Sequence, residues 1–287
     1  MFNYEFMRVA MVVGVLLAFV IPMLGTTVVY KRLSMTGDAL SHTSLAGVAL
    51  GLICGFNPMI VAVITCVIAS IVIEIIRKKF YKYSELAIAI VLSTGIGLAG
   101  ILSSFTPAAN FNAYLFGSIV AISKLELWLT VGLFILVFAF NLVFYKEIMY
   151  ISFNESSAKI AKIPVRTLNF CHTILTAITV AISSKIIGAL IVSSLMVVPV
   201  ATSMQVSKTY KQTLIFSILF AILSVVLGLT LSFYLNLKPG GTIVILNIIF
   251  LAVAIITKYF IHKHNAKHKH NHESSESLEQ KDSAVTK

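Results

Sequence analysis

An all-α bundle crossing a membrane about nine times is the fold class that three observations predict. Hydrophobic residues fill 58% of the 287 positions and charged residues only 11%. Mean hydropathy is +0.96. Apolar runs close to the roughly 20 residues that a helix needs to cross the hydrocarbon core follow one another along the chain, with short clusters of Lys and Arg between them. A soluble domain needs far more polar surface than this composition supplies. The 22 Lys and Arg against 11 Asp and Glu sit between the runs rather than over one face. That pattern is a topology signal, not a nucleic-acid footprint.

In chain order the spans fall at 7–29, 36–55, 58–76, 85–104, 126–145, 170–183, 186–206, 213–235 and 242–262. The first is too long for a signal-peptide core and lacks a clean small-residue cleavage site, so it reads as a retained span. Charge tests the count. Lys31/Arg32, Arg77/Lys78/Lys79/Lys82, Lys146/Lys159/Lys162/Arg166 and Lys208/Lys211 occupy every second break, while the alternate breaks hold only Lys124, Lys185 and Lys238. Nine spans with the N-terminus outside and the C-terminus in the cytoplasm satisfy the positive-inside rule at every loop. An eight-span count, the alternative, puts one basic cluster on the wrong side. The sixth run covers only 170–183 before Ser183-Ser184-Lys185 interrupts it. The sixth and seventh runs therefore read as two spans, or as one span plus a half-helix or re-entrant segment buried in protein. In the second span Gly47, Gly51 and Gly55 recur every fourth residue, with Gly37 near the same stripe. Such a ridge lets a neighbouring helix backbone approach closely.

The sharpest local feature is Asp38 and His42, four residues apart and so stacked on one face of a helix, with Ser34 and Ser41 beside them. A carboxylate and an imidazole in that register can clasp a divalent cation such as zinc, manganese or ferrous iron. A closed zinc site wants about four ligands, so another helix or a second copy of the chain would supply the rest. The competing reading pairs Asp38 with Lys31, Arg32 or His42 at a helix end. Glu74 reads as part of a solvated charge cluster with Arg77 and Lys78. Glu85, with Lys82, marks a helix start where an acid complements the dipole. His172 reads as a lone structural histidine and Glu126 as an extracellular interface residue. Cys54, Cys66 and Cys171 lack the pairing of a disulfide framework or a thiolate site.

Residues 1–262 form the transmembrane unit and 263–287 a tail. His262, His264, His268, His270 and His272 are spaced for loose binding of zinc, nickel or copper, or for a basic segment attracted to anionic lipid. Beyond Glu273 the Ser, Glu, Gln and Lys composition is that of a disordered segment. There is no GxxxxGK[ST], so no P-loop for ATP, and neither HExxH nor GxSxG appears.

The run Tyr30-Lys-Arg-Leu-Ser-Met-Thr-Gly-Asp38-Ala-Leu-Ser-His42-Thr-Ser-Leu-Ala-Gly47 resembles the early signature of the ABC-3 metal permeases. Four further stretches are similar to that family in the same order: Tyr114 to Ser118, Phe153 to Pro164, Gly188 to Ala201 and Lys238 to Gly241. The resemblance implies the permease subunit of a bacterial ATP-driven importer of a divalent metal, a translocation subunit rather than an enzyme. Its partners would be a cytoplasmic ATPase, an extracytoplasmic metal-binding protein and a second permease copy. It implies that Asp38 and His42 contact the ion on its path, and that the 145–169 loop meets the ATPase through Phe153, Asn154, Ala158 and Ile163 on a short helix. Asn154 stands where the family often has Asp, and Ile163-Pro164 where a Gly commonly ends the segment. Zinc is the first expectation, because the histidine tail favours it; manganese and iron are the alternatives, each as transported substrate with no tightly bound cofactor. A membrane-embedded metalloenzyme and a secondary metal transporter are the readings from other classes.

Overall fold

Apolar runs in lipid must satisfy their own backbone, which leaves the helix as their form. The computed structural model describes residues 5–79, 84–106, 114, 115, 117 and 122–260. Its helices are α1 (Glu5–Tyr30), α2 (Thr36–Cys54), α3 (Pro58–Lys79), α4 (Ser84–Ser103), α5 (Lys124–Val143), α6 (Tyr145–Phe153), α7 (Glu155–Ile160), α8 (Val165–Ile187), α9 (Ala189–Val206) and α10 (Tyr210–Leu235), followed by α11 (Pro239–Phe260). Among the described residues nine helices, all but α6 and α7, are long and apolar enough to cross a membrane. The histidines of the tail and Lys82 lie outside the described residues.

α1 and α8 are the most buried spans, and α1 packs against α10, α9, α5 and α8. α2 lies between α3 and α4 and also touches α9 and α8. Leu17, Ile21, Leu24, Leu40, Leu195 and Met196 are fully buried where these helices meet. The outer helices turn an aliphatic face outward: Ile60, Ile64, Ile68 and Ile75 of α3 are exposed at helical spacing, as are Leu219, Leu223, Leu227 and Leu231 of α10. That is the surface hydrocarbon requires.

Two sequence expectations change. The short sixth run is one continuous helix, α8, of 23 residues. Ser183, Ser184 and Lys185 lie inside it, and other helices partner the last two. Ser184 Oγ is 2.7 Å from Ser44 Oγ of α2, and Lys185 forms an ion pair with Glu126 of α5. The break falls instead at Gly188, with φ 97°. Gly117 packs against it, since a Cβ on Gly117 would stand 2.4 Å from the carbonyl carbon of Ile187.

The glycine stripe also divides. A Cβ on Gly47 would come within 2.1 Å of Thr65 Oγ1, and one on Gly51 within 2.8 Å of Pro58 Cα, so these two seat α2 on α3. Gly55 ends α2 in the left-handed conformation, φ 72°, its N–H bonded to the Gly51 carbonyl; this is a cap that a side chain would strain. Gly37 faces α9 instead, against Met196.

Candidate metal path and its basic end

Asp38 lies in the first turn of α2 and His42 one turn on, both half-buried in the single chain. Their neighbourhood is set by close backbone packing. A Cβ on Gly95 of α4 would lie 3.0 Å from the Thr43 nitrogen and 3.3 Å from the His42 carbonyl carbon. Neither Asp38 nor His42 enters a hydrogen bond or ion pair with a described residue: the cations once open to Asp38 are not on it, and Lys31 is engaged elsewhere. Among the described residues no third His, Cys, Asp or Glu joins the pair. A carboxylate and an imidazole on adjacent turns, uncommitted among the described residues, can give a cation two of its ligands and leave the rest of its shell open.

The loops holding Lys31/Arg32, Arg77/Lys78 and Lys159/Arg166 converge at one end of the bundle around a cavity of ≈ 880 Å³. Glu74, read from sequence as solvated, is buried there. It pairs with Arg77 at 3.4 Å and Lys78 at 3.5 Å. Arg77 also reaches Glu155 of α7 at 3.7 Å, and Lys31 lies at the same distance from Glu155. Asn169 of α8 donates to Glu155 Oε1 at 2.9 Å and accepts from Lys31. The packing of α3 on α8, with Glu155 of α7 reaching Arg77, places these charges, and local sequence carries no sign of it. Burial pushes the Lys31 ammonium down to about 8, with the Glu155 carboxylate opposing the shift.

Within the 145–169 loop, Asn154 caps α7: its Oδ1 accepts from the Ser156 nitrogen at 2.9 Å and the Ser157 nitrogen at 3.2 Å. An Asp would cap in the same way, so the departure at 154 leaves the helix start intact. Ala158 turns inward, fully buried with Ile151, Val165 and Leu168, while Ile163 packs partly against them. Phe153 is 62% exposed and Ile160 85% exposed, which makes them the apolar surface of this loop. The sequence reading passed over Ile160; an isoleucine on the solvent side of so short a helix was the available signal.

At the opposite end the Lys185–Glu126 pair closes α8 onto α5, and Ser123 with Glu126 forms a reciprocal cap at the start of α5. Glu126 is thus a buried structural partner, 4% exposed, rather than a surface residue. His172 is likewise buried, in α8. Cys54, Cys66 and Cys171 are all free thiols.

Residues 3–258 match the model of the ABC 3 transport family, and the chain belongs to that family. It is 36% identical over 256 residues to a probable metal transport system membrane protein of Treponema pallidum, covering 89% of this chain and 96% of that one. It is 28% identical over 260 residues to the high-affinity zinc uptake system membrane protein ZnuB of Haemophilus influenzae, covering 89% of this chain and 98% of that one. With the manganese import system permease protein ScaB of Streptococcus gordonii the identity is 27% over 260 residues, covering 90% and 92%. Among solved structures, PsaBC from Streptococcus pneumoniae in complex with Fab superposes with a TM-score of 0.78 at 25% identity, covering 88% of this chain and 91% of that one.

Proposed function

We propose that this chain is the membrane permease of an ATP-driven importer that carries a divalent metal ion, zinc before manganese or iron, across a bacterial cytoplasmic membrane. The observation that carries this reading is the pair Asp38 and His42: ionisable side chains within the span of a membrane helix, half-buried, and without a partner among the described residues. Such groups are costly in a bilayer unless a pathway or a partner uses them. The carboxylate supplies charge to the cation, the imidazole a borderline nitrogen ligand, and the second copy of a permease homodimer the remaining ligands.

The basic end faces the cytoplasm in this reading, which puts the N-terminus outside. ATP hydrolysis belongs to a separate cytoplasmic subunit that seats α7, with Phe153 and Asn154 exposed toward it and Ala158 and Ile163 holding the helix to the bundle. An extracytoplasmic metal-binding protein delivers the ion at the other end. Zinc takes first place on the histidines at 262–272.

Uptake of radioactive zinc and manganese by cells lacking the chain, with other systems silenced by chelation, tests the proposal. Wild type restores zinc accumulation, while Asp38→Ala and His42→Ala leave it at the deletion level. Normal uptake of both metals in the deletion strain would sink the importer reading. Restoration of manganese alone would move the substrate.

A further inference from the structure

Three buried polar atoms converge where α2, α3 and α8 meet. Thr36 is 6% exposed, Glu74 5% and His172 6%. Thr36 Oγ1, Glu74 Oε2 and His172 Nε2 are three of the seven buried side-chain atoms without a hydrogen-bond partner among the described residues. All three residues line one small cavity of ≈ 30 Å³. Glu74 Oε2 has an ion pair with Arg77 at 3.4 Å but no hydrogen bond. Buried polar atoms in native proteins are satisfied by protein or by ordered water, and three orphans around one cavity call for a common partner.

We infer that Thr36, Glu74 and His172 hold a single ordered water between the three helices. The volume exceeds the roughly 10–15 Å³ of probe space that a water needs. The chemistry matches as well: the water donates one hydrogen to Glu74 Oε2 and one to His172 Nε2, and accepts from the Thr36 hydroxyl. A divalent cation fits less well, because Lys31 and Arg77 also line the cavity and repel it. Thr36 opens the helix turn that carries Asp38, and Glu74 leads through Arg77 to Glu155 of α7. The water therefore completes a polar chain from the loop assigned to the ATPase to the turn assigned to the metal. That last step rests on the importer reading; the water site itself does not.

A structure of the full transporter at a resolution that shows waters tests the site. One peak is expected at about 2.7–3.2 Å from the three atoms, with no anomalous signal at the zinc edge. An anomalous peak, or no density within reach of the three atoms, overturns the proposal. Thr36→Val keeps the shape and removes the hydroxyl, whereas Thr36→Ser keeps the hydroxyl. Thr36→Val should lose the peak and lower zinc-stimulated ATP hydrolysis by the complex about fivefold, the effect of one hydrogen bond, and Thr36→Ser should retain both. A peak that survives in Thr36→Val overturns the water site too, and equal hydrolysis by the two variants overturns the polar chain built on it. If wild-type hydrolysis responds to no divalent metal, the importer reading fails while the density in wild type and Thr36→Val still decides the water site.

Discussion

Lys31 shows how much a single side chain can draw from its surroundings. It stands in the turn after α1 and is ordinary in sequence. In the fold it is packed against Glu155 and Asn169 and held at about 8, against 10.5 for a free lysine, chiefly by burial. Glu155 and the more distant Glu74 pull it up, and Arg77 pushes it further down. Between those two values the unfolded chain keeps the proton that the folded chain has released, so stability rises with pH across that window. Below pH 8 both states are charged and the full cost of burying the ammonium is present. In detergent the unfolding free energy of wild type should climb from pH 8 toward 10, by up to about 3 kcal/mol. Lys31→Met should lack that climb and, below pH 8, be no less stable than wild type, since the buried ammonium is a net cost there and Glu155 keeps Arg77 and Asn169. Parallel pH profiles for the two proteins would refute this account of Lys31. The helical register of Asp38 and His42 was legible without the fold, because residues four apart need only helical periodicity to share a face. Glu74 was not, because whether a carboxylate at a helix end is wet depends on what folds over it.

At the scale of the element, α8 shows where hydropathy misleads. A window along the chain penalises Ser183, Ser184 and Lys185 and ends the span at 183, yet the helix runs to Ile187. The missing information lies on other helices: Ser44 on α2 and Glu126 on α5 supply the partners that make polar residues tolerable there. The two glycine assignments differ for a similar reason, since Gly47 is pressed against α3 while Gly55 meets nothing within 4 Å and serves the backbone alone. Breaking the Lys185–Glu126 pair from one side leaves a mostly buried charge without its counter-ion. Glu126 side-chain exposure is 6% and that of Lys185 is 32%, placing the pair between the fully buried and the surface cases. Glu126→Gln should therefore cost about 2 kcal/mol of stability. The double variant Glu126→Gln with Lys185→Met should recover at least half of that loss, measured by thermal unfolding in detergent. A double variant as unstable as the sum of the single ones would mean that the two side chains act separately.

Over the whole molecule, the basic loops at every second break gather at one end, which is what their alternation in sequence demanded and the reason that the span count was readable. The proposed metal site is less complete. In that proposal Asp38 and His42 give two ligands, and among the described residues no further His, Cys, Asp or Glu stands with them. A metal of this class prefers about four protein ligands in a closed site, and the homodimer proposed above would bring two sets of two to a common axis. One ion per two permease chains is then the expected content of the trapped complex. Elemental analysis of complex purified with zinc, locked by a non-hydrolysable ATP analogue and freed of loose metal at the tail by deleting 263–287, reads that ratio directly. His42→Ala should abolish the bound ion rather than halve it, because each half-site alone holds too few ligands. One ion per chain would instead place a complete site within each permease and remove the need for a shared axis.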